Sequence, residues 1–170
     1  MSDENTVPPP PPPAPNVIAM PPRVAKDDRN KSQRKFGKPV IDYGFAIVPS
    51  LLMQAQHRLG LNPVQFNIIL HLIDFWWDAE KRPFPKKETL AERMNMSERQ
   101  IQRHIAELEN AGLVKRIGRT KRGHGKISNE YDLTGLIDRL KALEPEFTDV
   151  REENKKKRKN VGLPSHKRKA

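Results

Sequence analysis

The chain of 170 residues contains no cysteine. That absence excludes a disulfide framework and any thiolate metal site. It also lacks a long apolar run: nothing approaches the roughly 18 consecutive apolar residues that read as a membrane span. Its first residues, polar and then proline-rich, do not resemble a secretory signal. A soluble, cytoplasmic protein without membrane partners is expected. Catalytic signatures are missing as well. There is no glycine-rich phosphate loop, no serine or cysteine nucleophile motif and no carboxylate pair in a recognisable cleft context. The five histidines, His57, His71, His104, His124 and His166, are scattered without ligand spacing. No enzymatic activity, metal or cofactor is expected. His104, beside the apolar stripe of its helix, reads as a boundary residue, and Trp76 and Trp77 read as core and rim rather than as a base-stacking platform.

What the chain does have is positive charge, +11 at pH 7, unevenly placed. Residues 1–44 carry seven Lys or Arg against five Asp or Glu, residues 45–150 sixteen against fourteen, and residues 151–170 nine against two. Within the central segment the stretch 111–129 holds six cations and no acid, so the rest of that segment is net acidic. A domain that is acidic overall and basic in one short piece carries the electrostatic footprint of a polyanion partner.

Composition divides the chain into three. "VPPPPPPAP" from Val7 to Pro15 can form neither helix nor sheet, because each proline lacks a donor and has its φ fixed. With the aperiodic polar stretch behind it, 1–43 is expected to be a disordered arm, its proline run a stiff spacer or a ligand for a protein partner. Residues 44–147 are expected to fold, and 148–170 to form a disordered basic tail. In that tail "KKKRK", Lys155–Lys159, resembles a nuclear import signal but reads better as a nonspecific DNA contact.

The folded segment is expected to be mainly α with one small β-hairpin. Leu51, Leu52, Ala55 and Leu59 share one side of a helix that ends at Gly60. Asn62, Pro63 and Gln65 form a capping sequence for a second helix, apolar nearly all round, which is central or else meets a second chain. Leu90, Ala91 and Met94 mark a short third helix. A tight turn at Asn95 and Met96 leads to Ser97, the cap of a fourth in which Ile101, Ile105 and Leu108 face the core. Two strands around a glycine-containing basic tip follow, and a last helix with Leu136, Ile137, Leu140 and Leu143 is expected to stop before Pro145.

The block "TLAERMNMSERQIQRHIAELENAGLVKR" resembles the winged helix-turn-helix core of MarR- and GntR-type bacterial regulators. It is also similar to the helix-turn-helix domains of plasmid and phage replication initiators. The resemblance implies a sequence-specific double-stranded DNA-binding protein, nucleoid-associated, acting as a transcriptional regulator or in replication initiation. A winged-helix adaptor for another protein is the second class of reading. For base reading the candidates are Ser97, Glu98, Arg99, Gln102 and Arg103, donors and acceptors at the start and along the exposed side of the fourth helix. For phosphates they are Lys86, Lys87, Thr89, Arg119, Lys121, Arg122 and Lys126. Two copies reading two half-sites, a homodimer, fit the all-round apolar second helix.

Overall fold

The computed structural model describes residues 26–121 and 125–161, with side chains over 28–120 and 127–159. The chain divides into two units, Met1–Phe45 and Ala46–Ala170.

In the first unit, α1 (Lys26–Phe36) packs on α2 (Lys38–Tyr43). Both lie in the segment expected to lack structure. α1 has no apolar periodicity from which to read a helix. Its charges favour one instead: Asp28 stands near the N-terminus and Arg34 and Lys35 in the last turn, each sign complementing the helix dipole. Gly37 at φ 87° turns the chain between the helices, and Pro39 suits the first turn of α2. Asp42 gathers Arg29, at 2.9 Å, and Lys38. Hydrogen bonds from these cations hold its carboxyl below the usual aspartate value, Lys38 contributing most.

The second unit is helical with one hairpin. α3 (Ser50–Gln54) is shorter than the spacing predicts, and the chain continues to Gly60 in hydrogen-bonded turns. Gly60, at φ 69°, lets Leu61 N–H reach back to the Gln56 carbonyl and close the segment. α4 (Pro63–Asp74) begins with the expected capping box: Asn62 accepts from Gln65 N–H at 2.9 Å, and the Gln65 side chain accepts from Asn62 N–H at 3.1 Å. Ile68, Ile69 and Leu72 of α4 are fully buried, and Val64, Phe66, Ile73 and Trp76 pack around the same cluster. This helix is apolar on most sides and forms the domain's centre.

α5 (Lys87–Met94) and α6 (Glu98–Asn110) follow. They lock onto α4 through Leu90, Ala91, Ile101, Ile105 and Leu108, each large side chain contributing about 1.5–3 kcal/mol by leaving water. α6 ends in a Schellman closure. Gly112 at φ 69° lets its own N–H reach the Glu109 carbonyl and Leu113 N–H reach that of Leu108. β1 (Lys115–Lys121) then pairs antiparallel with β2 (Gly125–Asp132), with a register shift between Ile117 and Arg119. One further backbone bond, Tyr131 N–H to the Pro83 carbonyl at 2.9 Å, ties β2 to the segment before α5.

α7 (Thr134–Val161) departs most from expectation, running through Pro145 and into the segment expected to be a disordered tail, of which 162–170 lie outside the described residues. An interior proline costs about 3 kcal/mol, so the helix must be held on both sides of it. Leu143 and Phe147 both pack against the core, and Arg58 pairs with Glu146 at 2.9 Å. Beyond, the run is rich in Glu, Lys and Arg, all good helix formers. Its beginning sits against the end of α6: Leu136 N–H donates to the Leu113 carbonyl at 3.0 Å. A β-carbon at Gly135 would collide with the Gly112 carbonyl oxygen.

Candidate nucleic-acid interface

The geometry of the interface starts from two caps. Asn95 closes α5 in the left-handed conformation, φ 50° and ψ 49°, where asparagine is one of the few side-chain residues at ease. Two residues later Ser97 opens α6: Gln100 N–H donates to its hydroxyl oxygen at 3.3 Å, and the Gln100 side chain accepts from Ser97 N–H at 2.9 Å. A left-handed residue followed at once by a capping box swings the axis within three residues, the turn of a helix-turn-helix. Ile101, Ile105 and Leu108 then bury one side of α6, which obliges Arg99, Gln102 and Arg103 to face solvent.

The predicted base-reading residues do not stand alike. Arg99 and Gln102 are exposed and make no ion pair or side-chain hydrogen bond among the described residues. Arg103 lies 3.9 Å from Glu107 one turn on. Glu107 also accepts from Gln65 of α4 at 3.0 Å and meets Nδ1 of His104 at 3.0 Å. The His104 contact is the largest influence holding that carboxyl below its ordinary value. Ser97 spends its hydroxyl on the cap. Glu98 lies 3.6 Å from Lys87, so a candidate base reader and a candidate phosphate contact neutralise one another.

Among the predicted phosphate contacts, Lys86 is the exposed N-cap residue of α5, fixed between buried Pro85 and the helix, and Thr89 is half-buried. Arg119 is committed elsewhere. It pairs with Glu130 across the hairpin at 3.2 Å and lies over the Phe84 ring, 5.0 Å from its centroid. Arg116 likewise pairs with Glu109 at 2.9 Å. Arg122 and the hairpin tip lie outside the described residues, as do the side chains of Lys121 and Lys126. Ser128 and Asn129 were not singled out from sequence, yet they line a groove with Lys86, Lys87 and Tyr131, between the start of α5 and β2. The available signal was their strand position, where asparagine is disfavoured unless its amide has work to do.

Other polar and aromatic groups are structural. Trp77 donates to the Asp74 carbonyl at 2.8 Å, and Trp76 packs on the core. Arg93 bridges α5 to the end of α4, pairing with Asp74 at 2.8 Å and covering Phe75 at 4.5 Å. Among the described residues no cluster of His, Asp or Glu could hold a metal ion, and no helix is long and apolar enough to cross a membrane.

A helix-turn-helix seated on a central helix and followed at once by an antiparallel hairpin defines the winged helix-turn-helix class. Comparison with known proteins agrees: residues 59–114, from the end of the first turns to the start of the hairpin, match the family model of a helix-turn-helix domain. That match supports DNA binding. The chain is similar in structure to the N-terminal domain of DnaD protein from Geobacillus kaustophilus HTA426, with a TM-score of 0.45 and 20% identity, over 78% of this chain and 99% of that one. It is also similar to a MarR-family transcriptional regulator from Rhodococcus sp. RHA1, with a TM-score of 0.36 and 19% identity, over 85% of this chain and 87% of that one. No curated protein matches the chain in sequence.

Proposed function

We propose that this protein binds double-stranded DNA sequence-specifically, without catalysis, with α6 in the major groove and the hairpin on the adjacent backbone. The observation that carries the reading is the free, exposed pair Arg99 and Gln102 at the start of a capped helix whose other side is wholly buried. A major groove admits one α-helix. There Arg can bond guanine in bidentate fashion and Gln adenine, which fits two long side chains unencumbered by ion pairs. Arg103 is the third reader, released from Glu107 when a base edge replaces the carboxylate. Lys86, Lys87 and the cations of the hairpin tip, Lys121, Arg122 and Lys126, position the protein on phosphates and read nothing.

Selection from random duplexes tests the proposal. An enriched site is expected, and Gln102→Ala or Arg99→Ala should lose about 1–3 kcal/mol on that site while random DNA is nearly unaffected. A protein-interaction adaptor would enrich no site, and that result would reject the reading. Regulation of transcription is the role proposed first, because a free recognition helix with an attached wing suffices to occupy an operator; replication initiation would use the same contacts at an origin. Mapping the enriched sequence to promoters or to a single origin separates the two.

A further inference from the structure

We propose that the C-terminal end of α7 is a second DNA-contacting element, separate from α6, that grips the phosphate backbone without reading sequence. The proposal rests on the DNA-binding reading above. Its starting observation is that Lys155, Lys156, Lys157, Arg158 and Lys159 lie in a continuous helix rooted in the domain and are all exposed. Phe147 is the last α7 side chain packed against the core. At 1.5 Å per residue the five cations follow about 12–18 Å further along the axis.

Two ordinary explanations fall short. Cations in the last turn complement the helix dipole, which accounts for Arg158 and Lys159 but not for three more before them. Ion pairing within the helix accounts only for Lys155, 3.4 Å from Glu152. No acid follows Glu153 in the sequence, and the other four cations make no ion pair among the described residues. Cations spaced three and four residues apart in a helix repel one another, so the cluster is a liability unless a polyanion meets it. Its geometry also says how it would bind. Five consecutive residues at 3.6 per turn cover the full circumference, so the cluster has no single face to set in a groove. Such a cluster can follow a phosphate backbone in several rotations and carries no register, which makes it a source of affinity and not of specificity.

The test uses the full chain and a variant carrying Lys156→Gln, Lys157→Gln, Arg158→Gln and Lys159→Gln, since glutamine keeps helix propensity while removing charge. Affinity is measured against salt on a duplex trimmed to the selected site, on the same site with about 15 base pairs added on each side, and on a random duplex of the longer length. Each phosphate left unneutralised should flatten the slope of log affinity against log salt by about 0.9. The four-residue variant should therefore be flatter by about 2 to 3 on both long duplexes, with the preference for the selected site unchanged. Returning arginine at the same four positions should restore the slope, which separates the removal of charge from a damaged helix. A slope unchanged on the long duplexes would overturn the proposal while leaving the α6 reading intact. A wild-type protein with no site preference, whose slope still flattens in the variant, would leave the basic helix standing and overturn the reading of α6.

Discussion

Lys87 and Glu98 face each other at 3.6 Å, joining the first residue of α5 to the first residue of α6. Both side chains remain nearly half exposed, at 40% and 47%, so the pair is worth no more than about 1 kcal/mol to the fold. Its consequence is for DNA: Glu98 cancels one of the cations offered to the backbone. Glu98→Gln should therefore raise affinity for selected and random duplexes alike, by up to about fivefold at low salt, and steepen the salt dependence. Fluorescence anisotropy on both duplexes reads this directly. If Glu98 instead accepted a hydrogen bond from a cytosine, the substitution would change which sites are enriched.

Arg119 and Glu130 make the corresponding pair on the hairpin, 3.2 Å apart, with Arg119 also stacked over Phe84. The guanidinium braces the hairpin against Phe84. Arg119→Ala should lower stability by about 1 kcal/mol and leave the salt slope unchanged, whereas an Arg119 that neutralised a phosphate would, once removed, flatten it by about 0.9. Denaturant unfolding alongside salt titration decides between the two outcomes.

A close backbone approach lies where α7 begins. A methyl group at Gly135 would strike the Gly112 carbonyl, a backbone atom that cannot step aside without disturbing the closure of α6. Gly135→Ala is expected to destabilise by about 1–3 kcal/mol through overpacking. Gly118→Ala is the control: nothing stands within 4 Å of its β-carbon, and it should change stability by less than about 1 kcal/mol. Equal unfolding midpoints for the two variants would contradict the packing described.

His71 titrates below the ordinary histidine value because it is partly buried, with Arg93 adding to the effect and Asp74 opposing it. The unfolded chain, with its histidine near pH 6.5, takes up the proton before the folded one does. The stabilisation is fully present above about pH 6.5, declines as the pH falls toward the folded-state value, and levels off below it. His71→Gln should remove this component from the pH dependence of the melting temperature below about pH 6.5. A wild-type curve with no decline over that range would count against the assignment.

Much of the domain was legible in the sequence because its signals are local. Asn62 with Gln65 and Ser97 with Gln100 are capping boxes whose partners lie three residues apart, and both form as the spacing predicts. The periodicity of Ile101, Ile105 and Leu108 set which side of α6 is buried, and therefore which side Arg99 and Gln102 occupy. α1 escaped detection because it has charge pattern without apolar period. The length of α7 escaped because a proline ordinarily ends a helix, and only packing on both flanks carries the helix past it.

Between Ser50 and Thr134 sequence alone therefore determined the order of elements, the faces of the helices and the concentration of charge, since each depends on neighbours within about one turn. Tertiary structure decided which charges remain free. Arg99, Arg103, Arg116 and Arg119 look alike as letters. Only Arg99 is left without a carboxylate among the described residues, because Glu107, Glu109 and Glu130 are brought beside the other three by the turns of α6 and by the pairing of β1 with β2. Arg103 and Glu107 are one helical turn apart and legible as such, but Glu109 and Glu130 reach Arg116 and Arg119 only through the fold, because Coulombic attraction acts over a few ångströms of space regardless of separation along the chain.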